Sequence, residues 1–463
     1  MKRPTGASLV AGLILATLAL FLASCGPATP GAAPVVGAPT LGGAALQSPI
    51  DTPTPTPPPS QPGPTPTRVP LCTPPAGASD DQPPAEESAL DALAFGDPQV
   101  ILTDTAPIDI AGWMPDGRNL LLVRQVPGQQ AQAIESFDIR SGRTVRYAEA
   151  VTGAGQVFPL AQGQGVGFMD QAGMVEGQAS PGVDLKVSHG PGQVQPVVRG
   201  VPFRAMAVDP ASVSLVRYAQ APGGPPVLLP QARQDFRVLT VPIDPYLWRY
   251  PTYFPDRVET GYAGDVFQVA VRPDGSMVAF YADPYLFLYD TRTERACEVD
   301  LGVAENGQPR FTWDARWSPD GRYLAMLTSA RFPGELLPFA DLTILDRVTG
   351  ELKHINPSPR RMVTDFIWAP NSRQLIILGK ENFGQGLLLQ RLFLVDALTN
   401  RATVILDNLV FGTRGNNAQL AWSSGNEYVA AVPCFDEVER VETILIEGIA
   451  AWRVCLIGVD RPQ

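Results

Sequence analysis

Beyond about residue 98 the chain is built from short apolar runs, each set off by a polar turn. The clearest reads Ala315-Arg-Trp-Ser-Pro-Asp-Gly-Arg-Tyr-Leu-Ala-Met-Leu327. Apolar or alternating residues stand on both sides of Pro-Asp-Gly, the pattern of two strands joined by a hairpin. Pro fits the second position of a type I turn because its φ is already set, and Gly takes the left-handed position that closes the turn as a bulge.

The phrase recurs at Trp113-Met-Pro-Asp-Gly-Arg118 and Val271-Arg-Pro-Asp-Gly-Ser276, with weaker copies at Trp368-Ala-Pro-Asn-Ser-Arg373 and Trp422-Ser-Ser-Gly-Asn-Glu427. A second phrase follows four of these five: an apolar strand ending in Asp, then a Thr/Ser and Gly/Asn/Glu turn. Its copies end at Asp138, Asp290, Asp346 and Asp396. Two hairpins per repeat make a four-stranded unit. A repeat of roughly 40–50 residues built on short strands predicts an all-β chain, a β-propeller with one repeat per blade. The Trp residues are expected to fill the space between neighbouring blades, where aromatic area dominates such cores.

The pair of phrases resembles the WD40-like repeats of the TolB-type β-propellers, over roughly residues 98 to 463. That resemblance implies a rigid disc used mostly for protein contacts, although some members of the family carry or adjoin catalytic sites.

The anchors Trp113, Val271, Trp317, Trp368 and Trp422 leave one gap, before Val271, that fits three blades. Degenerate copies at Val157–Phe168 and Ala205–Val216 fill it, giving seven blades, or six if one of them is not a blade. The run from Trp452 to Gly458 reads as the third strand of the last blade. Gln99-Val-Ile-Leu-Thr103 precedes the first blade and is expected to supply the missing outer strand, closing the ring and leaving no open edge.

The N-terminus has a different character. Met1-Lys-Arg3 precedes an apolar stretch from Leu9 to Ala23, too short for a confident membrane span. It ends in Leu22-Ala-Ser-Cys-Gly26, which closely resembles the lipobox of bacterial lipoproteins. The resemblance implies a signal peptide over residues 1–24 and lipidation of Cys25, placing the rest outside the cytoplasm on the bacterial cell membrane. Residues 25–85 are rich in Pro and Thr and read as a lipidated Cys followed by a disordered tether. The propeller occupies residues 86–463.

The formal charge is −11 over 463 residues, and loss of Lys2 and Arg3 with the signal leaves the mature chain near −13. No basic cluster stands out, which argues against nucleic acid as a partner. Of five Cys, Cys434 and Cys455 fall on neighbouring strands and are candidates for a disulfide. Cys72 and Cys297 either pair or stay free. No Cys-x-x-Cys spacing supports a metal site.

Candidate chemistry is sparse. His189 and His354 are the two histidines, and both read as strand or turn residues of different blades. There is no Gly-x-Ser-x-Gly elbow and no His-Glu-x-x-His motif. The glycines of Gly163–Gly167 lie in a strand-turn-strand setting, which a phosphate loop does not use. Glu437 with Glu439, and Asp244 with Asp256, read as solvated loop charges. No catalytic residue, cofactor or metal is assigned.

In a propeller the first-to-second and third-to-fourth strand turns share one face, and here they are short and uniform. The long insertions at 331–340, 380–389, 435–451 and 235–265 fall on the other face, where variable loops carry binding. The last contains Tyr246, Trp248, Arg249, Tyr250, Tyr253 and Phe254, residue types enriched in binding hot spots. The expected function is a protein-binding or scaffold module at the cell envelope. Carbohydrate or small-ligand binding is the alternative, and a propeller hydrolase or lyase comes last.

Overall fold

In the computed structural model of this protein the described residues are 71–73, 90–153, 156–160, 165–174, 181–202, 206–218, 237–241, 266–282, 285–303, 310–330, 341–355, 361–382, 388–411, 419–432, 434 and 452–460. The chain divides into two units, Met1–Gly63 and Pro64–Gln463; the first lies wholly outside the described residues.

A 3-10 turn, Leu90–Ala92, leads into β1 (Ala94–Phe95) and β2 (Gln99–Asp104). Blade one is β3 (Ile108–Trp113), β4 (Asn119–Gln125), β5 (Gln132–Asp138) and β6 (Thr144–Ala150). Blade two is β7 (Val157–Pro159), β8 (Val166–Met174), β9 (Pro181–Ser188) and β10 (Val194–Pro202). Blade three is β11 (Met206–Asp209), β12 (Ser214–Tyr218) and β13 (Arg237–Val241). Blade four is β14 (Val266–Val271), β15 (Met277–Ala282), β16 (Tyr285–Asp290) and β17 (Arg295–Val299). Blade five is β18 (Arg310–Trp317), β19 (Tyr323–Ala330), β20 (Asp341–Asp346) and β21 (Leu352–Ile355). Blade six is β22 (Arg361–Trp368), β23 (Gln374–Asn382), β24 (Leu388–Asp396) and β25 (Arg401–Phe411). Blade seven is β26 (Gln419–Trp422), β27 (Tyr428–Val432) and β28 (Trp452–Asp460), completed on its outer edge by β1 and β2.

Seven is thus the blade number, and the degenerate copies are blades two and three. Blade three departs from the expected pattern. Among the described residues it has three strands, and β13 runs parallel to β12, pairing Ser214 with Arg237 and Tyr218 with Val241. The stretch 235–265, expected to be a connection between blades, therefore contributes a strand.

Closure is as the sequence predicts. β2 pairs antiparallel with β28, Gln99 opposite Leu456 and Asp104 opposite Trp452, while Phe95 of β1 sits opposite Val459. The N-terminal strands thereby become the outer edge of the C-terminal blade.

The cores explain why apolar residues come in runs. Buried residues form seven clusters among the described residues, each made from two consecutive blades. One of them joins blade seven to blade one through Trp113, Leu120, Ala430 and Trp452. Along β19, Tyr323, Ala325 and Leu327 pack toward blade six, while Leu324 and Met326 pack toward blade four. A strand buried on both faces has no polar side to show, so the period-two alternation vanishes from its sequence.

The turns form as read. Gly321 N donates to the Ser318 carbonyl at 2.8 Å and has φ of 74°. Ser372 and Asn426 take the same left-handed position in blades six and seven. A chain lacking residues 98–104 leaves β28 only its two β1 pairs on the outer edge and removes the Asp104–Arg124 pair across the seam to blade one. It is expected to lose the parent's cooperative thermal transition; a deletion variant that melts like the parent contradicts this closure.

Candidate functional site

The repeat Trp residues, in blades one, five, six and seven, sit in the first strand, where the ring packs on the preceding blade. Trp113, Trp317 and Trp368 each donate the indole N–H to a backbone carbonyl there, of Ala421, Ala270 and Arg316, all at 3.1 Å. In each case the acceptor precedes the repeat anchor of that blade. Rings of the preceding blade's second strand cover two of them: Tyr428 stacks on Trp113 at 6.4 Å and Tyr323 on Trp368 at 6.1 Å. Trp422 is instead met edge-on by Phe95 of β1, at 6.1 Å. The Trp side chains are thus buried inter-blade stitches.

A second set of stitches is polar. In β18, Arg316 bonds Asp314 and, across the blade boundary, Asp365 of β22, both at 2.8 Å; it also donates to the Phe366 carbonyl. Its guanidinium lies 4.8 Å from the Phe366 ring. Asp365 in turn accepts from Leu420 N of blade seven at 3.1 Å. Gln419 of blade seven accepts from Ile110 N of blade one at 2.5 Å, and Asp209 of blade three accepts from Val271 N of blade four at 2.8 Å. Burial pushes the Asp209 and Asp365 carboxyls above the usual carboxylate range. The Asp314 and Asp365 charges overcome burial at Arg316 and raise its pKa, holding the guanidinium charged. Sequence reading passed over these residues. Their signal was there: Asp314, Asp365 and Gln419 all stand three positions before a repeat Trp.

A third network locks the closure seam. Arg124 of β4 bonds Asp104 of β2 at 2.8 Å and also pairs with Glu135 of β5, which accepts from Arg146 of β6 at 2.8 Å. Glu135 is buried, a charge set in the apolar run of its strand.

On the turn face the two repeat phrases meet. The Arg of the first pairs with the Asp of the second: Arg118 with Asp138 at 2.6 Å, Arg322 with Asp346 at 2.8 Å and Arg373 with Asp396 at 3.1 Å. The backbone N–H of Ser141, with Arg118 adding, brings Asp138 down to about 2. At Asp346 burial acts upward but is outweighed by Arg322 and the N–H groups of Val348 and Thr349.

Cys434 and Cys455 are disulfide-bonded, with Cα atoms 5.7 Å apart; so are Cys72 and Cys297, at 4.8 Å. His354 lies in β21, its Nδ1 2.9 Å from Thr343 Oγ1, and His189 lies in an exposed turn of blade two, so the structure does not bring the two histidines together. Cys25, the aromatic residues Tyr246, Trp248, Arg249, Tyr250, Tyr253 and Phe254, and the acidic pairs Glu437/Glu439 and Asp244/Asp256 lie outside the described residues. The insertions 331–340 and 435–451 lie outside them too, as do residues 383–387 of the insertion at 380–389. Among the described residues no group of three or more His, Cys, Asp and Glu is arranged to hold a metal ion.

Two predictions follow from these contacts. Arg316→Leu strips Asp365 of its counter-ion. The loss is expected to be about 2–3 kcal/mol by urea unfolding, less than for a wholly buried pair because a third of the Arg316 side chain stays exposed. No loss contradicts the stitch. The second concerns acid. Carboxylates with lowered folded pKa bind protons more readily in the unfolded chain, so their stabilisation is present above the unfolded value of about 4 and is lost as pH falls through the folded values. The urea midpoint is expected to fall between about pH 5 and about pH 2, and Asp138→Asn to flatten the lower part of that slope; a pH-independent midpoint contradicts it.

No protein-family model and no curated protein matches the sequence. Among solved structures the chain is similar to TolB from Acinetobacter baumannii, at 14% identity and a TM-score of 0.36, covering 67% of this chain and 57% of that one. It is similar also to a putative 6-phosphogluconolactonase from Bacteroides uniformis, at 11% identity, a TM-score of 0.40 and coverage of 72% and 90%. An oligogalacturonate lyase from Vibrio parahaemolyticus gives 10% identity, a TM-score of 0.39 and coverage of 79% and 99%. Likenesses this distant carry no assignment of activity, and the architecture rests on the strand pairing itself: the chain is a seven-bladed β-propeller.

Proposed function

We propose that this chain is an extracytoplasmic, lipid-anchored β-propeller that serves as a protein-binding or scaffold module at the bacterial cell envelope, and that it is not an enzyme. The distribution of its cysteines carries the reading. Four of the five are consumed in two disulfides, so Cys25 has no cysteine left to pair with inside the chain. Disulfides persist where the cytoplasmic reductants do not reach. Cys25 stands directly after Leu22-Ala-Ser24, at the end of an apolar stretch behind Lys2 and Arg3. A diacylglycerol there supplies the two acyl chains that stable anchoring needs.

The described interior supports a scaffold role. Its aromatic rings and several of its charged groups join blade to blade, others pair strand to strand within a blade, and in this reading recognition falls to loops and surface. The aromatic segment from Tyr246 to Phe254 supplies Tyr, Trp and Arg, side chains that dominate binding energy when buried against a partner. The same residue types stack on sugars, which makes a glycan or small ligand the alternative occupant.

The test has two arms. Cys25→Ser is expected to abolish labelling by radioactive palmitate and to move the protein out of the membrane fraction; unchanged labelling overturns the anchor. The full-length protein, cross-linked in intact cells, is expected to yield a specific protein adduct that Trp248→Ala/Tyr250→Ala loses. An adduct retained by the variant removes the aromatic segment from the reading. No protein adduct, together with binding on a glycan array, replaces a protein partner with a sugar.

A further inference from the structure

The two disulfides differ in their surroundings. Cys434 and Cys455 are 4% and 1% exposed, inside the core between blades six and seven, and lie 21 residues apart in sequence. Cys72 and Cys297 lie 225 residues apart and are only partly buried, at the outer edge of blade four, with Leu71 and Thr73 exposed on either side. Cys72 belongs to the stretch expected to be a free tether. Instead Leu71 forms a parallel bridge with Glu298 of β17, and Cys72 N donates to the Glu298 carbonyl at 2.8 Å. Arg347 Nη1 of blade five donates to the Thr73 carbonyl at 3.1 Å. The chain meets the ring again at Leu90, whose turn packs on blade six ahead of β1 and β2. Among the described residues the N-terminal segment is held to the ring at two places, and the first of these carries a disulfide.

We propose that the Cys72–Cys297 disulfide is a thiol-exchangeable clasp: it fixes the point at which the membrane tether leaves the propeller, and its reduction lengthens that tether without opening the ring. The inference rests on the lipid anchor at Cys25. With the clasp closed, the tether runs from Cys25 to Cys72; with it open, to Leu90. Counted by residues at about 3.1 Å each, the greatest contour this chain length allows rises from about 150 Å to about 200 Å. The reach of the propeller into the envelope thus becomes a redox-controlled quantity.

The chemistry is ordinary thiol–disulfide exchange with a dithiol reductant. One reductant thiolate attacks a sulfur of the clasp, and the other sulfur leaves as a thiolate that takes up a proton. The second reductant thiol then resolves the mixed disulfide, freeing the second cysteine and leaving the reductant as a disulfide. Two electrons pass from the reductant to the clasp. Access decides which bond reacts. The partly buried cysteines at the edge of blade four are the more accessible pair, and Cys434 and Cys455, clustered with Leu420, Trp422 and Val429, are the less accessible one.

The test uses the full-length lipoprotein in membranes, with a site-specific protease sequence inserted between residues 78 and 86. After cleavage the propeller is expected to stay with the membranes, and millimolar dithiothreitol is expected to release it to the supernatant. Cys297→Ser is expected to be released by cleavage alone. Alkylation under the same reductant is expected to label Cys72 and Cys297 at least ten-fold faster than Cys434 and Cys455, with unchanged near-UV circular dichroism. Release of the parent without reductant, retention despite it, or labelling of all four cysteines together overturns the clasp. Uncut protein found in the supernatant fails the lipid reading instead; the clasp is then read on non-reducing gels, where the two fragments must travel together and part on reduction.

Discussion

The structure follows from strands that are buried on both faces. Among the described residues the middle strands are buried on both faces: Leu324 and Met326 need blade four, and Tyr323, Ala325 and Leu327 need blade six. A blade standing alone exposes two apolar surfaces, and a row of blades exposes one at each end. Only a closed ring covers all of them, which is why seven two-blade cores, and not one central core, make up the described interior. The constraint reaches down to composition. It selects short apolar runs over alternating ones, and concentrates polar residues in turns and at the inner and outer margins of each sheet.

Apolar faces alone do not fix how one blade sits on the next, because they can slide. The side-chain-to-backbone bonds across the boundaries supply that register. An indole N–H finds one carbonyl, as from Trp317 to Ala270, and a carboxylate finds one amide, as from Asp365 to Leu420. Each such bond is worth only about 1 kcal/mol net, but leaving a partner buried and unsatisfied costs more. Wrong registers are penalised more than the right one is rewarded. The seam between blades seven and one has its own set: Trp113 to the Ala421 carbonyl, Ile110 N to Gln419, and Arg124 to Asp104, with Arg124 held in turn by Glu135 within blade one. That is where the two ends of the folded ring meet, and where chain connectivity contributes least.

Much of this was legible in the sequence, because the repeat writes each turn and each Trp in full. Blade number, hairpin type, the role of the Trp residues and the strand from Gln99 to Thr103 all came from local signals. What was missed depends on contacts between repeats. The pairing of Asp365 with Arg316 cannot be seen within one phrase, nor can that of Cys72 with Cys297 across 225 residues. Blade three, whose phrase has eroded to Asp209-Pro-Ala-Ser212, gave no hint that β13 would run parallel to β12. The proposed binding surface is legible only as residue types: Trp248 and its neighbours are of kinds suited to binding, and residue type alone does not name an occupant.

The claim on which the account depends is that β2 is an integral part of the ring and not an appendage. Native-state hydrogen exchange measures this directly. The amides of β2 and β28 are expected to exchange only through global unfolding, with the same denaturant dependence as those of β19 and β23 in blades five and six. If the β2 amides exchange through a small local opening while blades five and six stay protected, the ring is not closed by its N-terminal strand, and its stability has another source.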